Sequence, residues 1–202
     1  MLVEVMGHKT GWLTLGSGIA GGADVILIPE IPYDVQKVAE ALKLRSREGK
    51  LFSIVPVAEG AVDQATAEKI AKLQQMLEKC EDKKRKTEIK AELADLTSYK
   101  PERIFELAKK LEELTKLETR VTILGYLQRG GTPSCFDRLL ATQLGVRAAE
   151  AVLNKEFGFM ASYEHGATKL VPIEDVAGKR KELSSEHPWV KCAEESGISF
   201  GK

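Results

Sequence analysis

Glu59 closes one strand-like run, Arg120 opens another, and Tyr126 and Arg129 lie in the glycine-rich loop that follows it. Met6-Gly7-His8 stands just ahead of a helix-like stretch, whose free amide groups favour anions and sugar hydroxyls. In an open α/β sheet ligands collect beyond the carboxyl ends of the strands. One carboxylate, two arginines, a phenol and a glycine-flanked helix start could therefore converge on a small phosphorylated polyol. An arginine fork suits phosphate oxygens, and each such charged hydrogen bond is worth roughly 1.5–3 kcal/mol. The same Glu59 and Arg129 would also serve as a purely structural ion pair at a loop mouth, and spacing does not separate the two roles.

Other chemistry is less well supported. Gly16-Ser17-Gly18-Ile19-Ala20-Gly21 matches the letters of a dinucleotide fingerprint, which needs a strand before it and a helix opening within it. Here a helical pattern precedes the glycines and a strand pattern follows, so they read as a close-packing helix and its end. Cys135 falls in the first turn of a helix, where its thiol pKa could be lowered, but no histidine stands near it in sequence. A buried, inert thiol is the plainer expectation. His8, His165 and His187 show no metal-ligand spacing. Asp137-Arg138 reads as a charged step that anchors the start of its helix.

The elements that must position these residues are α/β in pattern. Gly11 to Ala20 reads as a helix ending at Gly21-Gly22, and Val25 to Ile28 as a strand fully buried in a parallel sheet. Val35 to Arg47 is a helix, Leu51 to Ala58 another buried strand, and Arg120 to Leu124 carries a further strand pattern. Thr132 with Pro133 predicts the start of a helix whose buried stripe is Leu139, Leu140, Leu144, Ala148 and Val152. Lys169 to Val171 is a short strand candidate in an otherwise irregular tail. Between them, residues 64–117 contain no glycine and one proline, with 11 acidic and 13 basic residues. Ile70-Leu73-Leu77, Ile89-Leu93-Leu96 and Ile104-Leu107-Leu111-Leu114 mark three helix faces, so this stretch reads as a helical arm with a solvated, mixed-charge surface.

Thirty basic residues cancel thirty acidic ones, which leaves no global field to hold nucleic acid or an anionic membrane. No apolar run approaches the length of a membrane span, and the first residues lack the pattern of a signal peptide. Three separated cysteines, an odd number with no CxxC pair, favour reduced thiols and a cytoplasmic location.

The runs MGHKTGWLTLGSGIAGGADVILIPE, VAEG and especially ETRVTILGYLQRGGTPSCFDRLLAT resemble the carboxyl-terminal half of the 6-phosphofructokinases. The resemblance covers residues 1–59 and 118 to about 153. It implies a parallel-sheet sandwich domain of phosphofructokinase type with an inserted helical arm. Residues 1–63 and 118–156 would form the substrate-binding α/β domain, 64–117 the insertion, and 157–202 a tail belonging to a donor-binding domain. It further implies a fructose 6-phosphate site: Met6 and Gly7 on the sugar, His8 where the family pattern has arginine, and Glu59 on sugar hydroxyls. Tyr126 stands where histidine is frequent, Arg129 is the QRGG arginine, and Arg120 is the ETR arginine that reaches the sugar phosphate of a neighbouring subunit. The family's magnesium and its ATP or pyrophosphate are held by GGDG-type loops, and its general base by a TIDND-like motif, neither of which occurs here. The resemblance therefore implies a portion of a homo-oligomeric enzyme that binds no donor or metal and is catalytically incomplete alone. A non-catalytic sugar-phosphate sensor or assembly module is the alternative expectation.

Overall fold

Short apolar runs bounded by turns become the strands of a parallel sheet in this computed structural model, which describes residues Met1–Lys202. The elements in chain order are β1 (Leu2–Val5), α1 (Trp12–Ala20), α2 (Val35–Arg47), β2 (Val55–Ala58), α3 (Gln64–Lys79), α4 (Lys83–Thr97), α5 (Glu102–Thr115) and β3 (Val121–Ile123). A 3-10 turn, Gly125–Arg129, leads to α6 (Cys135–Leu153), β4 (Phe159–Glu164), β5 (Ala167–Pro172) and α7 (Ile173–Val176), and α8 (Pro188–Glu195) comes last. Two units result: Met1–Gln128 with Glu182–Lys202, and Arg129–Lys181.

In the first unit the sheet order is β2-β1-β3, all parallel, with Glu4 of β1 opposite Val57 and Ile123. The segment Val25–Ile28 lies beside β2 and is wholly buried, yet it meets its neighbours through isolated bridges rather than a continuous ladder. Leu27 N–H donates to the Pro56 carbonyl at 3.0 Å and Ala58 N–H to the Leu27 carbonyl at 2.9 Å. Pro56 itself has no N–H to give toward this segment, so the expected strand is broken where proline sits. β1 was not foreseen as a separate strand, and β2 starts at Val55 rather than Leu51.

One helical layer packs α2 and α5 against the sheet, with Leu2, Val55, Val57, Val38, Leu42, Ile104, Leu107 and Leu111 in one cluster. The other side holds Leu15 of α1 with Ile26, Ile28, Val190 and Phe200. Each fully buried leucine or valine contributes about 1.5–3 kcal/mol over its exposed state. Gly18 permits the close seating of α1, since a Cβ there would fall 2.6 Å from Ile26 Cδ1 and 3.1 Å from Pro56 Cγ. Of the fingerprint-like glycines, Gly16 and Gly18 thus lie inside a helix and Gly21 caps its carboxyl end. Of the three charge-rich helices, α5 belongs to the body, whereas α3 and α4 pack on each other and bury chiefly Leu73 and Ile89. Asp34, Asp63 and Asp82 cap α2, α3 and α4 by accepting from Gln36, Thr66 and Lys84 amides at 2.7–2.8 Å.

In the second unit, α6 packs on the antiparallel hairpin β4–β5, whose first strand the sequence did not announce. The helix begins at Cys135, two residues later than Thr132-Pro133 predicts. Ser134 caps it reciprocally with Asp137, Asp137 N–H donating to Ser134 Oγ at 3.2 Å and Ser134 N–H to Asp137 Oδ2 at 2.8 Å. The Ser134 hydroxyl, which also donates to Asp137 Oδ2 at 2.7 Å, and after it the Ser134 amide hold the Asp137 carboxyl below the usual carboxylate range. The predicted buried stripe is not buried: Leu139 and Val152 are 63% and 61% exposed, and only Ala151 of the helix is buried. One hairpin covers too little of a 19-residue helix. Cys135 is exposed rather than buried. No helix of the chain is long and apolar enough to cross a membrane.

Candidate functional site

The carboxyl ends of β1 and β2 are tied together by short turns. Gly7 takes φ +145°, a conformation that side-chain-bearing residues rarely adopt, and a Cβ there would lie 2.7 Å from the Thr10 carbonyl oxygen. Its N–H donates to Glu59 Oε2 at 3.3 Å, and its carbonyl accepts from Gly60 N–H at 3.3 Å. Gly60 lies directly under His8, for a Cβ on it would sit 1.8 Å from the His8 carbonyl oxygen. Met6, Gly7, His8 and Glu59 are thereby gathered, all half-buried, at the ligand side of the sheet.

The turn after β3 joins them through a residue that sequence reading missed. Met6 N–H donates to Gln128 Oε1 at 3.2 Å, while Gln128 Nε2 donates to the Gly125 carbonyl at 3.2 Å. Gln128 lay in plain view beside Arg129, but nothing in its type separated a backbone clamp from a solvent-facing amide. Tyr126, on the same 3-10 turn, is 79% exposed. Arg129 ends that turn and opens the second unit.

Two expectations need correction. Arg120 stands at the amino end of β3, its carbonyl accepting from Leu2 N–H at 2.8 Å, so within one chain it lies at the opposite end of the sheet from Glu59. Its guanidinium pairs with Glu118 at 3.0 Å, both side chains 74% exposed. The helix start after Met6-Gly7-His8 is not an open anion cradle either: both carboxylate oxygens of Glu30 accept from Gly11 N–H at 3.0 Å, and Leu183 N–H donates to the same group at 3.3 Å.

Behind the site a second carboxylate is buried. Glu4, on the central strand, is 5% exposed and accepts from the Tyr99 hydroxyl at 2.7 Å. Burial pushes its carboxyl up and the Glu59 charge adds to that, while the Tyr99 bond pulls it back. Tyr99 in turn is pushed up to about 12, first by its bond to Glu4. A glutamate inside the run MLVEVM was the only sequence signal for this pair, and Tyr99 gave none. No group of three or more His, Cys, Asp or Glu side chains is arranged to hold a metal ion.

A parallel α/β sheet whose carboxyl-end turns gather a carboxylate and glycine amides defines an α/β domain of the open-sheet class, in which ligands collect beyond the strand ends. Residues 1–152 match the phosphofructokinase family profile, and the chain belongs to that family. It is 45% identical over 201 residues to the ATP-dependent 6-phosphofructokinase of Propionibacterium freudenreichii subsp. shermanii, covering 100% of this chain and 54% of that protein. It is 44% identical to the enzyme of the same name from Spirochaeta thermophila, over 100% of this chain and 50% of the relative. The chain thus spans about half the length of the curated relatives it matches. Among solved structures, phosphofructokinase from Saccharomyces cerevisiae superposes with a TM-score of 0.61 at 32% identity, over 86% of this chain and 20% of that one. A pyrophosphate-dependent phosphofructokinase from Nitrosospira multiformis shares the fold with a TM-score of 0.67 at 20% identity, over 100% and 48%.

Proposed function

We propose that this chain is the fructose 6-phosphate-binding portion of a glycolytic, cytoplasmic 6-phosphofructokinase, which moves a phosphoryl group from ATP or pyrophosphate to O1 of the sugar. The observation that carries this reading is the Glu59–Gly7 contact. It sets a carboxylate with one oxygen turned to a backbone amide at the ligand end of a parallel sheet, flanked by the Met6 and His8 backbone. In this reading Glu59 accepts from sugar hydroxyls, Met6 and Gly7 line the sugar, and His8 donates one hydrogen bond in place of an arginine. Gln128 holds the Met6 backbone in place for them. Tyr126 and Arg129 are assigned to the sugar phosphate.

Arg120, at the far end of its own sheet, acts in this account only on the site of a neighbouring subunit, which agrees with a homo-oligomeric enzyme. Magnesium and the phosphoryl donor are assigned no residue in this chain, and the general base for the O1 hydroxyl is expected in the other half of the enzyme. The chain alone therefore binds sugar phosphate and turns nothing over.

Equilibrium dialysis against fructose 6-phosphate tests the assignment, with Glu59→Gln as the comparison. The variant should keep its fold and lose affinity about ten-fold or more, the range for a charged hydrogen bond. Equal affinity in wild type and variant removes Glu59 from the site.

A further inference from the structure

Between α4 and α5 the chain turns through residues 98–101, and from this turn Tyr99 reaches the central strand of the sheet. Its hydroxyl donates to Glu4 Oε1 at 2.7 Å, a contact between groups 95 positions apart. A carboxylate this deeply buried needs a hydrogen-bond donor, and the phenol supplies one.

The pleat then decides what Glu4 is next to. Leu2, Glu4 and Met6 alternate onto one face of the sheet. Parallel register puts Glu4 opposite Val57, two residues before Glu59, so Glu4 lies one row behind both Met6 and Glu59 on that face. The two carboxylates repel, and the Glu59 charge acts on Glu4 and on Tyr99 alike. Glu102, the first residue of α5, adds a third negative charge facing Tyr99.

We propose that the helical insertion positions the candidate sugar-phosphate site through Tyr99, whose phenol holds the Glu4 carboxylate one row behind Glu59 and Met6. This rests on the reading of the site given above. With Glu4 held by the phenol, Glu59 is the carboxylate that meets the Gly7 amide. Without the phenol, the buried Glu4 carboxyl loses its donor, turns toward the amides at the strand ends, and displaces Glu59 from Gly7. Tyr99 touches no substrate in this scheme. It is a positioning residue, and through it the packing of the α3–α4 hairpin bears on sugar-phosphate affinity.

The test compares wild type, Tyr99→Phe, Glu4→Gln and the double variant by amide correlation spectra and by titration with fructose 6-phosphate. Tyr99→Phe keeps the ring and removes only the hydroxyl. It should move the Met6, Gly7 and Gly60 amide resonances and weaken binding about three- to ten-fold, with less than half of that effect when Glu4 is already glutamine. Unmoved Gly7 and Gly60 amides overturn the proposal, and so does an equal loss of affinity in both backgrounds. Should wild type fail to bind the sugar phosphate, the reading of the site fails, and the Gly7 amide still decides for or against the Tyr99 contact.

Discussion

Burial and the neighbouring Glu59 charge raise the Glu4 carboxyl above its value in an unfolded chain, against the pull of Tyr99. The folded protein then keeps a proton over an interval in which the unfolded chain has already lost it. Stability consequently falls as pH rises through that interval, and the full penalty stands above it. Glu4→Gln removes the penalty while leaving an oxygen to accept from Tyr99. Its melting temperature should exceed wild type at pH 7, with the gap closing below about pH 4, where both forms are neutral. A variant less stable than wild type at pH 7 would contradict this account of Glu4. Arg129 calls for a different measurement, because its assignment rests on a planar fork meeting phosphate oxygens. Arg129→Lys keeps the charge and loses the fork, so fructose 6-phosphate affinity should drop several-fold, and unchanged affinity would free Arg129 from that role. Of these residues, Glu59 and Gly7 were legible in sequence, since a carboxylate at a strand end and a glycine in a turn announce themselves. Glu4, Tyr99 and Gln128 were not, because their roles come from pairings across 95 and 122 positions that no local pattern encodes.

At the scale of elements, identical periodicities led to different fates. Ile104-Leu107-Leu111 on α5 and Ile70-Leu73-Leu77 on α3 have the same helical spacing, yet α5 enters the core beneath the sheet and α3 lies against α4. Periodicity states that a helix has an apolar face and is silent on what that face meets. Leu111, fully buried, should cost about 2–5 kcal/mol on truncation to alanine, measured by denaturant unfolding. Leu77→Ala should cost about 1 kcal/mol or less. Equal costs would mean that α5 and α3 contribute alike to the body. β2 was readable as a buried parallel strand because it is a short apolar run between helices, whereas the central strand β1 was not foreseen and β3 is largely exposed. The break beside β2 was also present in the sequence, as Pro56, and became meaningful only once the neighbouring segment's register was known. The start of α6 shows the converse: Thr132-Pro133 is a good helix signal, and the Ser134–Asp137 capping box, which satisfies two amides at once, prevails over it.

For the whole molecule, balanced charge and a parallel sheet set the class, and the family profile sets the lineage. The second unit presents Phe136, Leu139, Val152 and Leu153 on α6 and Phe157 beyond it, each more than 60% exposed. Spread around α6 rather than along one stripe, these side chains leave the helix with little apolar cover inside its own unit. This agrees with a chain that spans about half the length of its relatives. The central claim is that the turns around Glu59 and Gly7 form a sugar-phosphate half-site before any other part of the enzyme is added. Calorimetric titration of this chain with fructose 6-phosphate, beside fructose under the same conditions, tests it most directly. Saturable binding of the phosphorylated sugar, with none of fructose, is the predicted result. Equal heats for the two sugars, or no binding of either, would contradict it.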